Sequence, residues 1–214
     1  MSILKMVPNA WHISEFYHNF RGTCTQTSAA MCLASALGTP NTHDGVVNLM
    51  LAMTEEMIAA GTAGSNGAAT VANMAAELRK RGASVNTEWD YAGDKLPHDW
   101  VGLLRANAGV RPILLQLANA QAITDAYGHS QDGGVHYHAI AVMGIANEGY
   151  VVGDPNNPNV ENAFDTYPLW TLTNASPCGL IMLDVKTPAT PPPPPPDPQL
   201  AHLKAAIEAV LQQY

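Results

Sequence analysis

The stretch from residue 138 to residue 155 reads His138-Ala-Ile-Ala-Val-Met-Gly144-Ile-Ala-Asn-Glu-Gly-Tyr150-Val-Val-Gly-Asp-Pro155. Two apolar segments, rich in β-branched and small residues, flank Asn147-Glu148-Gly149, which is a typical turn sequence. We predict one strand over residues 136–145, a tight turn, and a second strand over Gly149–Gly153. Two strands joined by so short a connection form an antiparallel hairpin.

Helix signals dominate the first half of the chain and strand signals the second half. The segment from Thr23 to Leu37 is nearly apolar all round after its first turn, so it should form a buried helix that ends at Gly38. Helices are predicted over residues 23–37, 44–60, 69–81 and 99–107. Further strands are predicted over residues 112–117 and 179–184. Helices first and antiparallel strands later predict an α+β fold.

The composition excludes several classes of protein. The chain has 214 residues, 47% of them hydrophobic and 13% charged, so a sizeable core can form. The formal net charge is −8 and the basic residues are scattered apart from Arg79-Lys80-Arg81, which argues against nucleic-acid binding. No run of about 20 apolar residues occurs, so we expect no transmembrane span. Residues 1–20 lack the pattern of a signal peptide, so we expect synthesis in the cytoplasm.

A proline-rich segment divides the chain. Residues 187–198 include six successive prolines, Pro191 to Pro196, which favour a stiff polyproline II linker. We predict a domain over residues 1–186, the linker over residues 187–198, and a short amphipathic helix over residues 199–214. The apolar residues of this last helix follow a heptad repeat. It could be the start of a further module, a surface for self-association, or a segment that docks on the first domain.

Three cysteines without a CxxC pair predict free thiols rather than a disulfide framework or a zinc site. Cys24 opens the first predicted helix, where unpaired amides and the helix dipole favour a thiolate, the form that attacks carbonyl groups. Cys32 lies in the middle of the same helix and is interpreted as a core thiol. Cys178 precedes a strand and has no evident partner.

A nucleophilic cysteine needs a base, and His138 is the candidate because imidazole titrates in the useful pH range. It lies two residues after His136 on a predicted strand, so both side chains face the same side. Asp154, at the end of the next strand, could orient His138. In a regular hairpin, however, Asp154 falls opposite Ala141, so a bulge or strong coiling is needed. Asn157 stays open as the alternative partner.

Three short segments together resemble papain-like cysteine peptidases, and most closely the family related to bacteriocin-processing peptidases that is also found in some phage lysins. The His and Asp segments are residues 138–144 and 149–155, and the Cys segment is residues 23–31. The chain order Cys, His, Asp also matches. The resemblance implies a papain-like cysteine peptidase fold. In it, an N-terminal buried helix carries the Cys, and a C-terminal antiparallel sheet carries the His and the Asp.

The resemblance also implies a Cys24–His138–Asp154 triad that cleaves peptide or amide bonds through an acyl-enzyme. Bacterial cell-wall peptide is the expected substrate, reached through a separate pore as in phage lysins. One departure concerns the oxyanion hole, because Glu15 stands where the family has Gln and an ionised carboxylate cannot donate a hydrogen bond. Other donors that could serve are the Cys24 amide, His18, Asn19 and Gln26.

Two other functions stay open. Glu15 favours a catalytically inactive, papain-like binding module, and the same triad could carry out amidase or transpeptidase chemistry. We expect neither a metal nor a cofactor, because the histidines lack metal-ligand spacing and residues 154–161 miss the pattern of known calcium loops. Three tryptophans are interpreted as core residues or groove walls: Trp89, Trp100 and Trp170.

Overall fold

The computed structural model describes residues 5–10, 23–65, 67–90, 99–119, 121–123, 137–156 and 164–186. The predicted linker and C-terminal helix, residues 187–214, lie outside these ranges, so their boundaries stay predictions. Five residues considered for the site also lie outside the described residues: Glu15, His18, Asn19, His136 and Asn157.

Seven strands within the described residues form one antiparallel sheet. They are β1 (Lys5–Met6), β2 (Val85–Asp90), β3 (Ile113–Leu117), β4 (His138–Ala146), β5 (Gly149–Gly153), β6 (Phe164–Tyr167) and β7 (Pro177–Leu183). Their order in the sheet is β2-β7-β3-β4-β5-β6, and β1 pairs with β4 outside this path. The predicted hairpin is therefore the β4–β5 pair, with four other strands and β1 arranged around it.

Besides the helical residues 121–123, five helices accompany the sheet in the described part of the chain. They are α1 (Cys24–Leu37), α2 (His43–Ala59), α3 (Val71–Lys80), α4 (Trp100–Asn107) and α5 (Leu169–Asn174). The first four match the predicted helices to within two residues at each end, whereas α5, β1, β2 and β6 were not predicted. The α+β prediction is confirmed. No helix in the described ranges is both long and apolar enough to cross a membrane.

The sheet is buried on both faces. Alternate residues of β4 belong to two separate hydrophobic clusters. Ala139 and Ala141 face the cluster formed with α1, α2 and α3, and Ile140 and Val142 face the cluster formed with α4 and α5. Both faces of the strand are apolar for this reason, which explains why its sequence is a continuous apolar run rather than an alternating one.

Helix α1 packs on β4 through small side chains and one buried hydrogen bond. Residues Thr25 to Ala36 are all buried, and the helix carries no charged residue. It can be enclosed without the cost of burying an unpaired charge. Ser28 Oγ donates a hydrogen bond of 3.0 Å to the carbonyl oxygen of Ala139. This bond fixes the first turns of α1 beside the start of β4.

The neighbouring hydroxyl groups of Ser28 and Thr27 in α1 allow the Ser28 hydrogen bond to be tested with a matched pair of variants. The buried Ser28 hydroxyl donates to Ala139, whereas the buried Thr27 hydroxyl has no partner within the described residues. We expect Ser28→Ala to lower the free energy of unfolding by about 1–2 kcal/mol, because a buried hydrogen bond is lost. Thr27→Val removes an unpaired hydroxyl at nearly constant shape and should leave stability unchanged or raise it. Chemical denaturation measures both, and equal losses would contradict the assigned bond.

Candidate active site

Cys24 is the first residue of α1, and its side chain is partly exposed. The N-cap residues of α2, α3 and α4 each accept a hydrogen bond from a first-turn amide. Thr23, the N-cap of α1, makes no such side-chain bond. The first-turn amides of α1 are therefore not capped by that side chain. Uncapped amides and the helix dipole favour negative charge near Cys24.

Ser28 holds Cys24 close to β4. The two residues are four apart in α1, so they lie on the same face of the helix. Because Ser28 bonds to the carbonyl of Ala139, this face lies against the chain directly after His138. The Cys24 side chain lies close enough to the imidazole of His138 to be one of the groups that raise the pKa of that ring.

A one-residue bulge interrupts the hairpin that carries His138. At the turn end the register is as predicted, with Ile145 opposite Tyr150. Between Met143 and His138 the register is shifted by one residue, so that Val142 lies opposite Val152. Met143 is therefore an extra residue in β4. The bulge that the sequence required for a contact between His138 and Asp154 is present.

The bulge decides whether the side chains of Asp154 and His138 lie on the same face of the sheet. Without it, Asp154 would come opposite Ala141, whose side chain points to the other face from that of His138. With it, Gly153 pairs with Ala141, and Asp154 comes level with Ile140. Ile140 and His138 are two apart on β4 and share a face. Diagonal neighbours on one face of an antiparallel pair are within side-chain reach.

His138 and Asp154 meet in a buried hydrogen bond. The distance from His138 Nε2 to Asp154 Oδ1 is 2.7 Å, and the two side chains are 1% and 0% exposed. Because Nε2 faces the carboxylate, Nδ1 is the ring nitrogen left for the sulfur of Cys24. One imidazole thus connects a partly exposed thiol with a fully buried carboxylate.

Two further groups hold the Asp154 carboxylate. The backbone N–H of Asn156 donates to Oδ1 at 2.9 Å, and the hydroxyl of Tyr167 donates to Oδ2 at 2.6 Å. The first bond is an Asx turn, which an Asp-Pro-Asn sequence favours. Sequence reasoning missed Tyr167, because it ends β6, a strand that was not predicted.

The charge state of His138 results from two opposed effects. Burial disfavours the imidazolium, whereas the charge of Asp154 and the hydrogen bonds with Asp154 and Cys24 favour it. Their balance raises the pKa of His138 from 6.5 to about 10. The surroundings of His138 therefore favour its imidazolium form.

The other two cysteines have different surroundings. Cys32 is fully buried in the core, and burial raises its pKa, in agreement with the prediction of a core thiol. Burial and the negative charge of Asp90 raise the pKa of Cys178 to about 11. Both environments disfavour a thiolate, and all three cysteines are free thiols. Its position at the start of α1 and its neighbour His138 therefore distinguish Cys24 from the other two cysteines.

One candidate for the oxyanion hole is engaged elsewhere. Gln26 is fully buried, and its Nε2 donates to the carbonyl oxygen of Gly67 in the loop before α3. That amide is not available to a substrate at Cys24. Glu15, His18 and Asn19 lie outside the described residues, so the backbone amide of Cys24 is the described candidate that remains.

The tryptophans separate into two kinds. Trp89 and Trp100 line a small apolar cavity between α4 and the sheet, as expected of wall residues. Its volume of about 20 Å³ leaves room for roughly one water molecule. Trp170 is 58% exposed, so it is not a core residue. Within the described ranges, no three His, Cys, Asp or Glu side chains lie close enough together to hold a metal ion.

Comparisons with known proteins bear on the fold. No protein-family model matches the sequence, and no curated protein matches it either. Among solved structures, the chain is similar to a Bacillus anthracis protein provisionally described as a C39-like peptidase. The TM-score is 0.54 at 12% sequence identity, and the match covers 87% of this chain and 100% of the other. At this identity the likeness shows a shared fold, helices packed on an antiparallel sheet, in agreement with the expected architecture.

The raised pKa of His138 gives a direct spectroscopic prediction. Since the pKa is about 10, the ring should keep its imidazolium signals at pH 8 in a ¹H–¹³C or ¹H–¹⁵N spectrum, with His138→Gln identifying them. Asp154→Asn removes the carboxylate charge but keeps the burial, so the ring should become neutral at pH 8. Titration of the wild-type ring near pH 6.5 would contradict the assigned environment.

Proposed function

We propose that this protein is a cysteine hydrolase that cleaves peptide or amide bonds. In this proposal Cys24 is the nucleophile, His138 transfers the proton and Asp154 orients His138. The observation that carries it is the single imidazole between the Cys24 thiol and the buried Asp154 carboxylate. Nucleophile, base and orienting group within hydrogen-bond reach are what acyl transfer requires.

The steps of the reaction follow from these positions. The Cys24 thiolate attacks the carbonyl carbon, a C–S bond forms, and the charge moves to the carbonyl oxygen beside the α1 amides. His138 then gives its proton to the leaving amine as the C–N bond breaks, which leaves a thioester on Cys24. Water attacks the thioester, His138 takes the water proton, and the C–S bond breaks to release the acid. The proton on His138 and the charge on Cys24 are restored.

Two features support this role for Cys24 rather than for another cysteine. Its side chain is partly exposed, whereas Cys32 is enclosed, so a substrate carbonyl could reach the sulfur. Its position at a helix N-terminus that the Thr23 side chain does not cap supplies amide donors and a favourable dipole. Cys178 is partly exposed as well, but its neighbour Asp90 is negative and disfavours a thiolate.

For the substrate, we propose peptide bonds of the bacterial cell wall and a role of the lysin type. This rests on the resemblance of the Cys, His and Asp segments and on the proline-rich sequence at residues 187–198, since a catalytic domain followed by a stiff linker is a frequent lysin arrangement. The alternative of an inactive binding module rests on Glu15 at the position where the family has Gln.

Thiol reactivity tests the proposed pair of Cys24 and His138. We expect iodoacetamide at pH 6.5 to alkylate Cys24 faster than Cys178 by tenfold or more, because the adjacent imidazolium favours the thiolate. His138→Ala should abolish the difference. Peptide mass mapping locates each modified cysteine, and Cys178 serves as the internal control. Equal rates for the two cysteines, or a Cys24 rate unchanged in His138→Ala, would favour the binding module.

Digestion of purified cell walls tests the proposed substrate. The wild-type chain should release new free amino groups and soluble peptides, whereas the near-isosteric Cys24→Ser variant should release neither. Mass spectrometry of the products separates peptide cleavage from amidase cleavage, and transfer to an added amine would indicate a transpeptidase. If Cys24 passes the alkylation test while walls from several bacterial types stay intact, the substrate assignment is wrong and the hydrolase proposal stands.

A further inference from the structure

Tyr167 is the last residue of β6, and its side chain is completely buried. It belongs to the hydrophobic cluster on the α4–α5 face of the sheet, together with Tyr150 and Val152 of the neighbouring strand β5. Its hydroxyl is the polar atom of an otherwise apolar side chain, and it lies 2.6 Å from Asp154 Oδ2. A buried hydroxyl at this distance is a strong donor to a carboxylate.

The two oxygens of Asp154 are held by different groups. Oδ1 accepts from His138 Nε2 and from the backbone N–H of Asn156, and Oδ2 accepts from Tyr167. Asp154 follows the last residue of β5, so the ladder does not hold its backbone. Loss of the Tyr167 donor would weaken the hold on Oδ2, and the carboxylate could then rotate about its terminal torsion, which has broad minima, so that Oδ1 moves away from the imidazole.

A phenol suits this position because it is neutral. It stabilises the buried carboxylate by a hydrogen bond but does not cancel its charge. A Lys or Arg would form an ion pair with Asp154 and compete with His138 for the same negative charge. The neutral donor leaves that charge available to His138, whose protonation depends on it.

We propose that Tyr167 is a positioning residue, which fixes the Asp154 carboxylate so that His138 keeps its orientation toward Cys24. This inference rests on the proposed function and deepens it. Tyr167 acts through Asp154 and His138 and does not touch the reacting atoms. It adds a fourth member, from a strand outside the β4–β5 hairpin, to the chain of hydrogen bonds that ends at the nucleophile.

The chain contains a matched control for this residue. Tyr150 lies directly opposite Tyr167 in the β5–β6 ladder and is only 4% exposed. Its hydroxyl makes no hydrogen bond to any described residue. Tyr150→Phe and Tyr167→Phe therefore remove the same atom from neighbouring buried sites, but only the second removes a donor from Asp154.

The test compares the two variants in the full chain by two measurements. The first is the rate at which iodoacetamide alkylates Cys24 at pH 6.5. The second is the low-field ¹H signal of the proton between His138 Nε2 and Asp154 Oδ1. For Tyr167→Phe we expect a rate about tenfold lower, the order of magnitude that corresponds to one lost hydrogen bond to a charged group, and a shifted or broadened signal. Tyr150→Phe should match the wild type in both. Thermal unfolding checks that each variant folds.

The inference is overturned if Tyr167→Phe and Tyr150→Phe give the same Cys24 rate and the same His138 signal. Such a result would leave the proposed function intact, since that depends on the loss of Cys24 reactivity in His138→Ala. If Tyr167→Phe does not fold, the ¹H spectrum of the wild type still tests the assigned hydrogen bond. Its spectrum must contain a slowly exchanging hydroxyl proton from Tyr167, and its absence would overturn the assigned bond.

Discussion

One extra residue in strand β4, Met143, determines on which face of the sheet Asp154 lies. Side chains alternate along a strand, so an uninterrupted hairpin would put Asp154 and His138 on opposite faces. The bulge restores them to one face, where their side chains come within 2.7 Å. Gly144, the next residue, lies where β1 approaches, and a Cβ there would come within 2.6 Å of the Lys5 carbonyl oxygen. The rest of the proposed site depends on this local irregularity.

Burial and charge act against each other at His138, and the charge prevails. A buried imidazole would normally be neutral, but the carboxyl group of Asp154 lies beside it and is itself held by Asn156 and Tyr167. The uncharged helix α1 covers the other face of β4 and leaves Cys24 partly exposed at its end. The fold therefore brings His138, Cys24 and the N-terminus of α1 together, and it buries the Asp154 carboxylate completely.

The sequence allowed much of this arrangement to be predicted. The β4–β5 hairpin, helix α1 and its start at Cys24 followed from apolar runs, a turn sequence and a Gly stop signal. The need for a bulge followed from counting residues, but its position did not, because Met143 carries no local signal. Strands β2 and β6 were missed because they are short and contain no continuous apolar run. The pairing of β2 with the distant strand β7, and of β6 with β5, stabilises them. Tyr167 could not be found for the same reason, since its role comes from a long-range contact.

The central claim is that one imidazole activates Cys24 as the nucleophile of acyl transfer. The most direct measurement is rapid quenching after mixing with p-nitrophenyl acetate, followed by mass spectrometry of the intact protein and its peptides. The account predicts a transient acetyl thioester on Cys24 that water then removes, and no such adduct in His138→Ala. Acetylation of Cys178 instead of Cys24, or no transient adduct in the wild type, would contradict it.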